Sequence, residues 1–365
     1  MRRLSETTLQ EVYPSPEHLC VTSPEGRFWH ELFLPMNCVA SPQPTKLVDR
    51  SQAISNSDLA PIRFIPGTEW LYLKIYGGTT SLDEMLSNDL PKLLVQLAPG
   101  SFRRWFFVRY ADPNEHLRIR FCGEPDRLEA ELLPIILRFL SDLNVDGKIW
   151  KFELDTYQPE MGRYGGPQGV LESEQIFYAD SLAVLGILSR LPAGNHREMR
   201  WRVALMGIDA LLNDFGLDVG AKRDLLTDLS SSIQTQSRLE DRDQLNLALR
   251  FRTERRALSS LFDENPAEEF AQIAKELFGQ RSFAIRENID RLQDLARTNR
   301  LHERLDSLLG SYIHMHINRL MRSDPNQYEV VLYEFLRRLY NEQSARSNKK
   351  LRELPLSRSA KESTE

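Results

Sequence analysis

Two arginines occupy alternate positions in the segment His116–Phe121, which reads HLRIRF. In an extended chain successive side chains point to opposite faces, so Arg118 and Arg120 would share one face with His116. Like charges at this spacing are unfavourable unless an anion or a buried carboxylate lies between them. The segment therefore predicts an anion-binding strand face, and its alternative is a half-exposed strand whose arginines are solvated.

A second candidate is the segment TYQPEMGRYGGP, in which a predicted strand ends and Arg163 and Tyr164 precede a glycine pair. Gly165 and Gly166 could adopt positive φ or let the backbone approach a ligand closely, but a glycine pair also simply makes a turn. Taken alone, this segment favours the turn.

A third candidate is the segment SYIHMHINRL in a late predicted helix. Ser311, His314 and Asn318 are spaced to share one helical face, whereas His316 points elsewhere. A histidine titrates near neutral pH and can transfer protons, but among apolar neighbours it is more often a satisfied core residue.

Strands are predicted where aromatic and β-branched runs are bounded by turn residues, and the turn ADPNE between the second and third predicts an antiparallel hairpin. Helix-period apolar spacing predicts the helices. The result is an α+β fold: a small, mainly antiparallel sheet with helices, followed by a largely helical half. The predicted strands are Trp70–Tyr76, Arg103–Tyr110, His116–Phe121 and Ile149–Thr156. The predicted helices are Leu82–Leu97, Asp126–Leu143, Ser173–Leu191, Arg197–Phe215, Asp241–Phe262, Ala267–Phe278, Ile285–Thr298, Arg304–Met321 and Tyr328–Tyr340.

Composition narrows the function classes. The 365 residues include 47 Lys and Arg against 52 Asp and Glu, and the net charge of −5 gives no global reason to expect nucleic-acid or membrane-surface binding. The three cysteines are scattered without metal-ligand spacing, and no apolar run is long enough to span a bilayer. These features favour a cytoplasmic protein without a zinc site.

Four motifs, in the same order, resemble the C-terminal elimination domain of class I lanthipeptide (lantibiotic) dehydratases, a domain also found in thiopeptide-type bacteriocin biosynthesis proteins. They are RFIPGTEWLYLKIYGG, RRWFFVRYADPNEHLRIRF, YQPEMGRYGG leading into ESEQIFYADS, and SYIHMHINRL. The resemblance implies an elimination-type domain over residues 63–342. Residues 1–62 are expected to form an extension and linker resembling the end of the family's glutamylation domain, and residues 343–365 a disordered tail.

The resemblance also implies a chemistry. Family members dehydrate Ser and Thr of a ribosomal precursor peptide: a glutamylation domain transfers glutamate from glutamyl-tRNA, and the elimination domain expels it to leave dehydroalanine or dehydrobutyrine. By resemblance, Arg118, Arg120, Arg163 and His314 match the catalytic residues. Tyr164, Asn318 and Ser311, with the first two arginines, are expected to bind substrate, and Lys74 and Tyr110 are secondary candidates.

The chain is accordingly expected to be the elimination half of a split dehydratase, a lyase without cofactor or metal that works with a separate glutamyl-tRNA-dependent glutamylation protein and binds no nucleic acid itself. A homodimer is a further expectation. One alternative is a thiopeptide pyridine synthase, which resembles the same fold and joins two dehydroalanines by formal [4+2] cycloaddition. Another is a non-catalytic scaffold that presents the precursor peptide.

Overall fold

The computed structural model describes residues 21–23, 26–28, 63–191, 196–237, 241–322 and 325–353. The chain divides into two units, Met1–Asp58 and Leu59–Glu365. In the first unit, strands β1 (Val21–Ser23) and β2 (Gly26–Phe28) pair antiparallel. Most of the predicted extension and linker, residues 1–62, lies outside the described residues.

The second unit contains a four-stranded antiparallel sheet in the order β4–β5–β3–β6. Its strands are β3 (Trp70–Gly77), β4 (Arg104–Tyr110), β5 (His116–Cys122) and β6 (Ile149–Asp155). Every strand agrees with its predicted bounds to about a residue, and the β4–β5 hairpin is confirmed. Strand β5 is central, because β4 and β3 pair with its two edges.

The two faces of the sheet differ in chemistry because side chains alternate along each strand. Leu73, Phe107 and Ile119 are paired neighbours on one face, and all three are buried in the core. On the opposite face Arg120 lies between Tyr72 and Phe106, and the next pair along is Lys74 and Val108 beside Arg118. The predicted arginine face is therefore a real face of a central strand.

Two helical segments cover the apolar face, and each includes one π turn. Leu86 of the first segment and Leu132 of the second are fully buried. The first segment comprises α1 (Thr79–Glu84), a π turn (Met85–Asp89) and α2 (Leu90–Gln96), and the second comprises α3 (Pro125–Arg127), a π turn (Leu128–Leu132) and α4 (Leu133–Val145).

The chain beyond the sheet is helical, and the predicted α+β class is confirmed. Helix α5 packs against both β4 and α9, while α10 packs against β4, α5 and α6, so these helices close over the arginine side of the hairpin. The helices are α5 (Gly166–Leu188), α6 (His196–Asp214), α7 (Val219–Ser237), α8 (Asp241–Ser260), α9 (Glu269–Arg297), α10 (Leu305–Leu320) and α11 (Pro325–Glu353).

Four helix predictions need correction. The predicted helices Ala267–Phe278 and Ile285–Thr298 are the single helix α9, because Gly279 weakens a helix by only about 1 kcal/mol and does not end it. Helix α5 begins at Gly166, before the predicted start, since the following proline suits a first helical turn. Helix α7 was not predicted from its Ser- and Thr-rich sequence.

The fourth correction concerns the C-terminus. Helix α11 continues to Glu353, so the disorder predicted from residue 343 is wrong up to that residue. Residues 343–353 are mostly good helix formers, which lets a helix already packed against α7 propagate. Residues 354–365 lie outside the described residues. Among the described residues no helix is both long and apolar enough to cross a membrane.

Candidate active site

Arg118 projects from the central strand and is held by two neighbours on the same face. Its guanidinium carbon lies 3.4 Å from the centre of the Tyr110 ring, and its Nε donates to His116 Nε2 at 3.1 Å. His116 Nδ1 is 2.8 Å from the carbonyl oxygen of Asn114, and burial lowers the pKa of His116. A neutral imidazole that donates from Nδ1 and accepts at Nε2 satisfies both contacts, so His116 orients Arg118.

Arg120 lies in an aromatic enclosure. Its guanidinium carbon is 4.2 Å from the ring centre of Tyr72, 4.9 Å from that of Tyr157 and 5.3 Å from that of Phe106. Its Nε is buried without a hydrogen-bond partner. Within the described part of the chain, neither Arg120 nor Arg118 forms an ion pair with a carboxylate. The sequence predicts an anion beside Arg118 and Arg120, and no described side chain of this protein provides it.

The position of Tyr157 under Arg120 is fixed by a buried acid on α5. Glu174 accepts hydrogen bonds from the Tyr157 hydroxyl at 2.9 Å and from Arg104 Nη2 at 2.7 Å. Burial raises the pKa of the Glu174 carboxyl, although both donors act in the opposite direction. The hydrogen bonds of this carboxylate go to Tyr157 and Arg104, so it holds the wall of the cleft.

Arg163 reaches the same face from the segment between β6 and α5. Its Nε donates to Ser311 Oγ at 3.1 Å, and its Nη1 lies 3.5 Å from Glu160 Oε2 in a loose, exposed ion pair. Ser311 therefore positions an arginine. Tyr164 is buried and stacks with Tyr312 at 6.2 Å between ring centres, and burial raises the pKa of Tyr164 to about 12.

The glycine pair that follows makes the turn into α5. Gly165 and Gly166 have φ of 80° and 88°, a region that favours glycine. A Cβ on Gly165 would lie 2.5 Å from Leu301 Cδ1, and one on Gly166 would lie 2.6 Å from His302 Nδ1. Both the positive φ and the tight packing explain this pair without a ligand.

Helix α10 supplies His314, whose side chain is 31% exposed and lines the cleft. Its Nδ1 is 2.5 Å from Oε1 of Glu329, a buried residue of α11. This contact occupies one ring nitrogen and leaves Nε2 available to a molecule in the cleft.

His316 points away from the cleft, as its position on the helix predicts. It is fully buried, and its Nδ1 is 2.8 Å from Asp180 Oδ1 on α5. Arg281 of α9 and Arg319 of α10 also bond Asp180, so one carboxylate joins three helices. Burial alone would raise the pKa of Asp180, but His316 and the two arginines hold it well below its usual range. The cluster is an anchor for α10.

Asn318 lines the cleft and also has a structural contact. Its Oδ1 accepts from the Arg109 backbone N–H at 2.9 Å, and its Nδ2 donates to the Arg109 carbonyl at 2.9 Å. The amide thus pairs with the end of β4 as a neighbouring strand would. Asn318 borders the cleft but joins β4 to α10.

A cleft of about 390 Å³ brings the predicted residues together. Six of the seven line it, and Ser311 touches it through Arg163. Sequence reasoning did not single out Tyr157 or Glu329, because their roles depend on contacts with Arg120 and His314, which are far away in the chain. Gln158 and Glu160 also line the cleft and were not singled out. Lys74, a secondary candidate, is paired with Asp155 at 2.5 Å. No group of three His, Cys, Asp or Glu side chains among the described residues is placed to hold a metal ion. The predicted residues in the lining are Arg118, Arg120, Arg163, Tyr164, His314 and Asn318.

The protein thus has an α+β fold in which arginines of the sheet and a histidine of α10 line one cleft. The chain belongs to the family described as "Lantibiotic biosynthesis dehydratase C-term", which matches residues 70–340. The family resemblance drawn from the four motifs is therefore confirmed.

Individual relatives agree with this assignment. The subtilin biosynthesis protein SpaB of Bacillus subtilis is 25% identical over 288 residues, which are 78% of this chain and 27% of that protein. The crystal structure of the tRNA dependent lantibiotic dehydratase MibB from Microbispora sp. 107891 is similar with a TM-score of 0.63 and 26% identity, over 79% of this chain and 29% of MibB. The chain thus spans little more than a quarter of the length of these relatives.

A shorter protein shares the fold. The pyridine synthase TbtD from thiomuracin biosynthesis is similar with a TM-score of 0.55 over 75% of this chain and 99% of TbtD. At 15% identity this likeness establishes the common fold alone.

Proposed function

We propose that this protein eliminates glutamate from glutamylated Ser or Thr residues of a ribosomally made precursor peptide, leaving dehydroalanine or dehydrobutyrine. The observation that carries the proposal is that Arg118 and Arg120 stand side by side on the cleft face without an ion-paired carboxylate among the described residues. Guanidinium groups are always charged and bind carboxylates in a bidentate manner. A glutamyl ester is a substrate that brings such a carboxylate into the cleft.

The reaction needs two anionic centres to be stabilised. A base removes the Cα proton, the electron pair forms the Cα–Cβ double bond, and the Cβ–O bond breaks to release glutamate as a carboxylate. Negative charge develops on the neighbouring amide oxygen during proton removal. We assign Arg118 and Arg120 to the glutamyl group, including its free carboxylate, and Arg163 to the developing enolate or the leaving group.

His314 is the proposed proton-transfer residue. It is the histidine in the cleft, and its Nε2 is left available by the contact of Nδ1 with Glu329. Glu160 lines the same cleft and is the competing base, but its carboxylate is already paired with Arg163 at 3.5 Å. For a general base, a position within reach of the substrate proton is the first requirement, and a suitable pKa is the second.

The alternative is a formal [4+2] cycloaddition of two dehydroalanines, since TbtD shares the fold. That reaction has no glutamyl carboxylate to bind, so it leaves the unpaired arginines unexplained. The glutamylated precursor peptide, and a glutamyl-tRNA-dependent activity that prepares it, are the partners that the elimination proposal requires.

Mass spectrometry on two peptides distinguishes the two reactions. One peptide carries a serine esterified with glutamate, and the other carries two dehydroalanines. We expect release of free glutamate and one alkene from the first peptide, without ATP or an added cofactor. An untouched first peptide, together with a six-membered nitrogen heterocycle formed from the second, would establish the cycloaddition instead.

A further inference from the structure

Glu329 on α11 is a buried acid in contact with a side chain that lines the cleft. It is 5% exposed, and its Oε1 lies 2.5 Å from His314 Nδ1. Tyr333 lies one turn later on the same helix, where burial and then the Glu329 charge raise its pKa well above the usual range.

We propose that Glu329 is the positioning residue of His314: it holds the imidazole with its proton on Nδ1 and turns Nε2 into the proton acceptor for the substrate Cα–H. This inference rests on the proposed elimination. It assigns His314 to proton abstraction, a role that the residue types alone leave open between abstraction and delivery.

The first step of the argument is the tautomer. A neutral imidazole has one N–H donor and one acceptor nitrogen, and an ionised carboxylate only accepts hydrogen bonds. With an ionised Glu329, the 2.5 Å contact between its Oε1 and His314 Nδ1 places the imidazole proton on Nδ1. Nε2 then carries the lone pair, on a side chain that lines the cleft.

The second step concerns charge. Arg118 and Arg120 from β5, and Arg163 from the segment between β6 and α5, line the same cleft, and each disfavours a positive charge on His314. Glu160 offsets part of this field but is itself 62% exposed and paired with Arg163. Glu329 is the buried anion in direct contact with the ring, so it stabilises the imidazolium that forms when His314 takes the proton. Tyr164, also in the cleft wall, is a neutral phenol, because burial raises its pKa to about 12.

Kinetics of Glu329→Gln and Glu329→Asp on the glutamylated peptide test the proposal, with Glu334→Gln as the control. Glu334 is on the same helix, is similarly buried and bonds Arg337 and Arg338. We expect Glu329→Gln to lower kcat by about 10²-fold or more with little change in KM. The glutamine amide can donate to Nδ1 of His314 and so favour the tautomer with its proton on Nε2. The acid limb of its pH–rate profile should move to lower pH by about one unit or more, because an opposite charge beside the ring is lost. Glu329→Asp should recover part of the activity.

A folded Glu329→Gln variant with unchanged kcat and an unchanged acid limb would overturn the proposal, whereas a change in thermal stability alone would mark a purely structural residue. Nitrogen-15 NMR of the wild-type protein, with His314 assigned by comparison with His314→Gln, gives the tautomer directly and needs no variant of Glu329. A proton on Nε2 of neutral His314 would refute the arrangement. Inactivity of the wild-type protein on the glutamylated peptide would instead refute the proposed function, and the NMR result would be unaffected.

Discussion

Arg120 lies against the ring of Tyr157, with 4.9 Å from its guanidinium carbon to the ring centre, and the Tyr157 hydroxyl donates to Glu174. The Tyr157 ring thus contacts the guanidinium of Arg120 while its hydroxyl bonds a buried acid. A cation over a ring is stabilised without neutralising its charge. Arg120 thus remains able to attract an anion.

Tyr157 should therefore matter through its ring more than through its hydroxyl. We expect Tyr157→Phe to keep elimination within about tenfold of wild type, whereas Tyr157→Leu should lower it more, since the cation–π contact is worth about 0.5–2 kcal/mol. Steady-state release of glutamate measures both variants. Equal activity of the Leu and Phe variants would show that the ring does not support Arg120.

The arginine pair carries the largest expected effect. Arg118→Ala and Arg120→Ala should each lower elimination by about a hundredfold or more, the usual scale for losing a charge-stabilising donor, so that glutamylated peptide accumulates. Arg138→Ala, an exposed arginine on α4, is the matched control. Wild-type rates in a folded double variant would show that both arginines are only surface charges.

The two histidines of α10 should separate activity from stability. His314→Ala should stop elimination with the fold intact. His316→Ala empties a buried site beside Asp180 and should lower the free energy of unfolding by about 3 kcal/mol while the remaining folded protein stays active. Urea denaturation and glutamate release, measured on both variants, are the tests. Equal loss of activity at equal stability would contradict the assignment.

Asn318 gives a similar contrast. Asn318→Ala removes both side-chain hydrogen bonds to the Arg109 backbone and should lower the free energy of unfolding by about 1–3 kcal/mol. Denaturant titration of the variant, with KM for the peptide, is the measurement. A raised KM at unchanged stability would restore the role in substrate binding that its position on the helix predicts.

Acid should weaken the protein through Asp83, which bonds Arg109, Arg200 and Arg322. Burial alone would raise the pKa of Asp83, but these arginines lower it to about 2. When folding lowers the pKa of a carboxyl, the group stabilises the folded protein at pH values above its unfolded-state pKa of about 4. This contribution of about 2 kcal/mol is lost as the pH falls toward the folded-state pKa of about 2. Urea midpoints from pH 7 to pH 2.5 should drop less steeply in Asp83→Asn, which starts less stable by about 3–5 kcal/mol. Identical slopes would exclude Asp83 as a source of the acid sensitivity.

The sequence predicts those parts of the site that depend on the side-chain periodicity of a single strand or helix. Alternation in HLRIRF places Arg118 and Arg120 on one face, and helical spacing separates His314 from His316, because both patterns act within a few residues. The partners of these residues do not follow from such patterns. Glu329 meets His314 only where α11 packs beside α10, and Tyr157 meets Arg120 only where the chain passes the end of the sheet.

The same limit explains the helix corrections. Gly279 falls where the apolar spacing of α9 is interrupted, and only packing along α5 and α6 shows that the helix is continuous. For Asn318, helical spacing gives the correct face, but its pairing with the Arg109 backbone could not be predicted, since it depends on the distance between β4 and α10.

Strand β5 is bonded on both edges, so the spacing of Arg118 and Arg120 is set before any peptide arrives. Under the proposed elimination, such a preformed pair recognises the leaving group as well as the ester, since glutamate keeps the same free carboxylate after the Cβ–O bond breaks. Product inhibition is the result: free glutamate competes with the next glutamylated residue, and its departure from the arginines, rather than proton abstraction, can set the turnover rate on peptides with many sites.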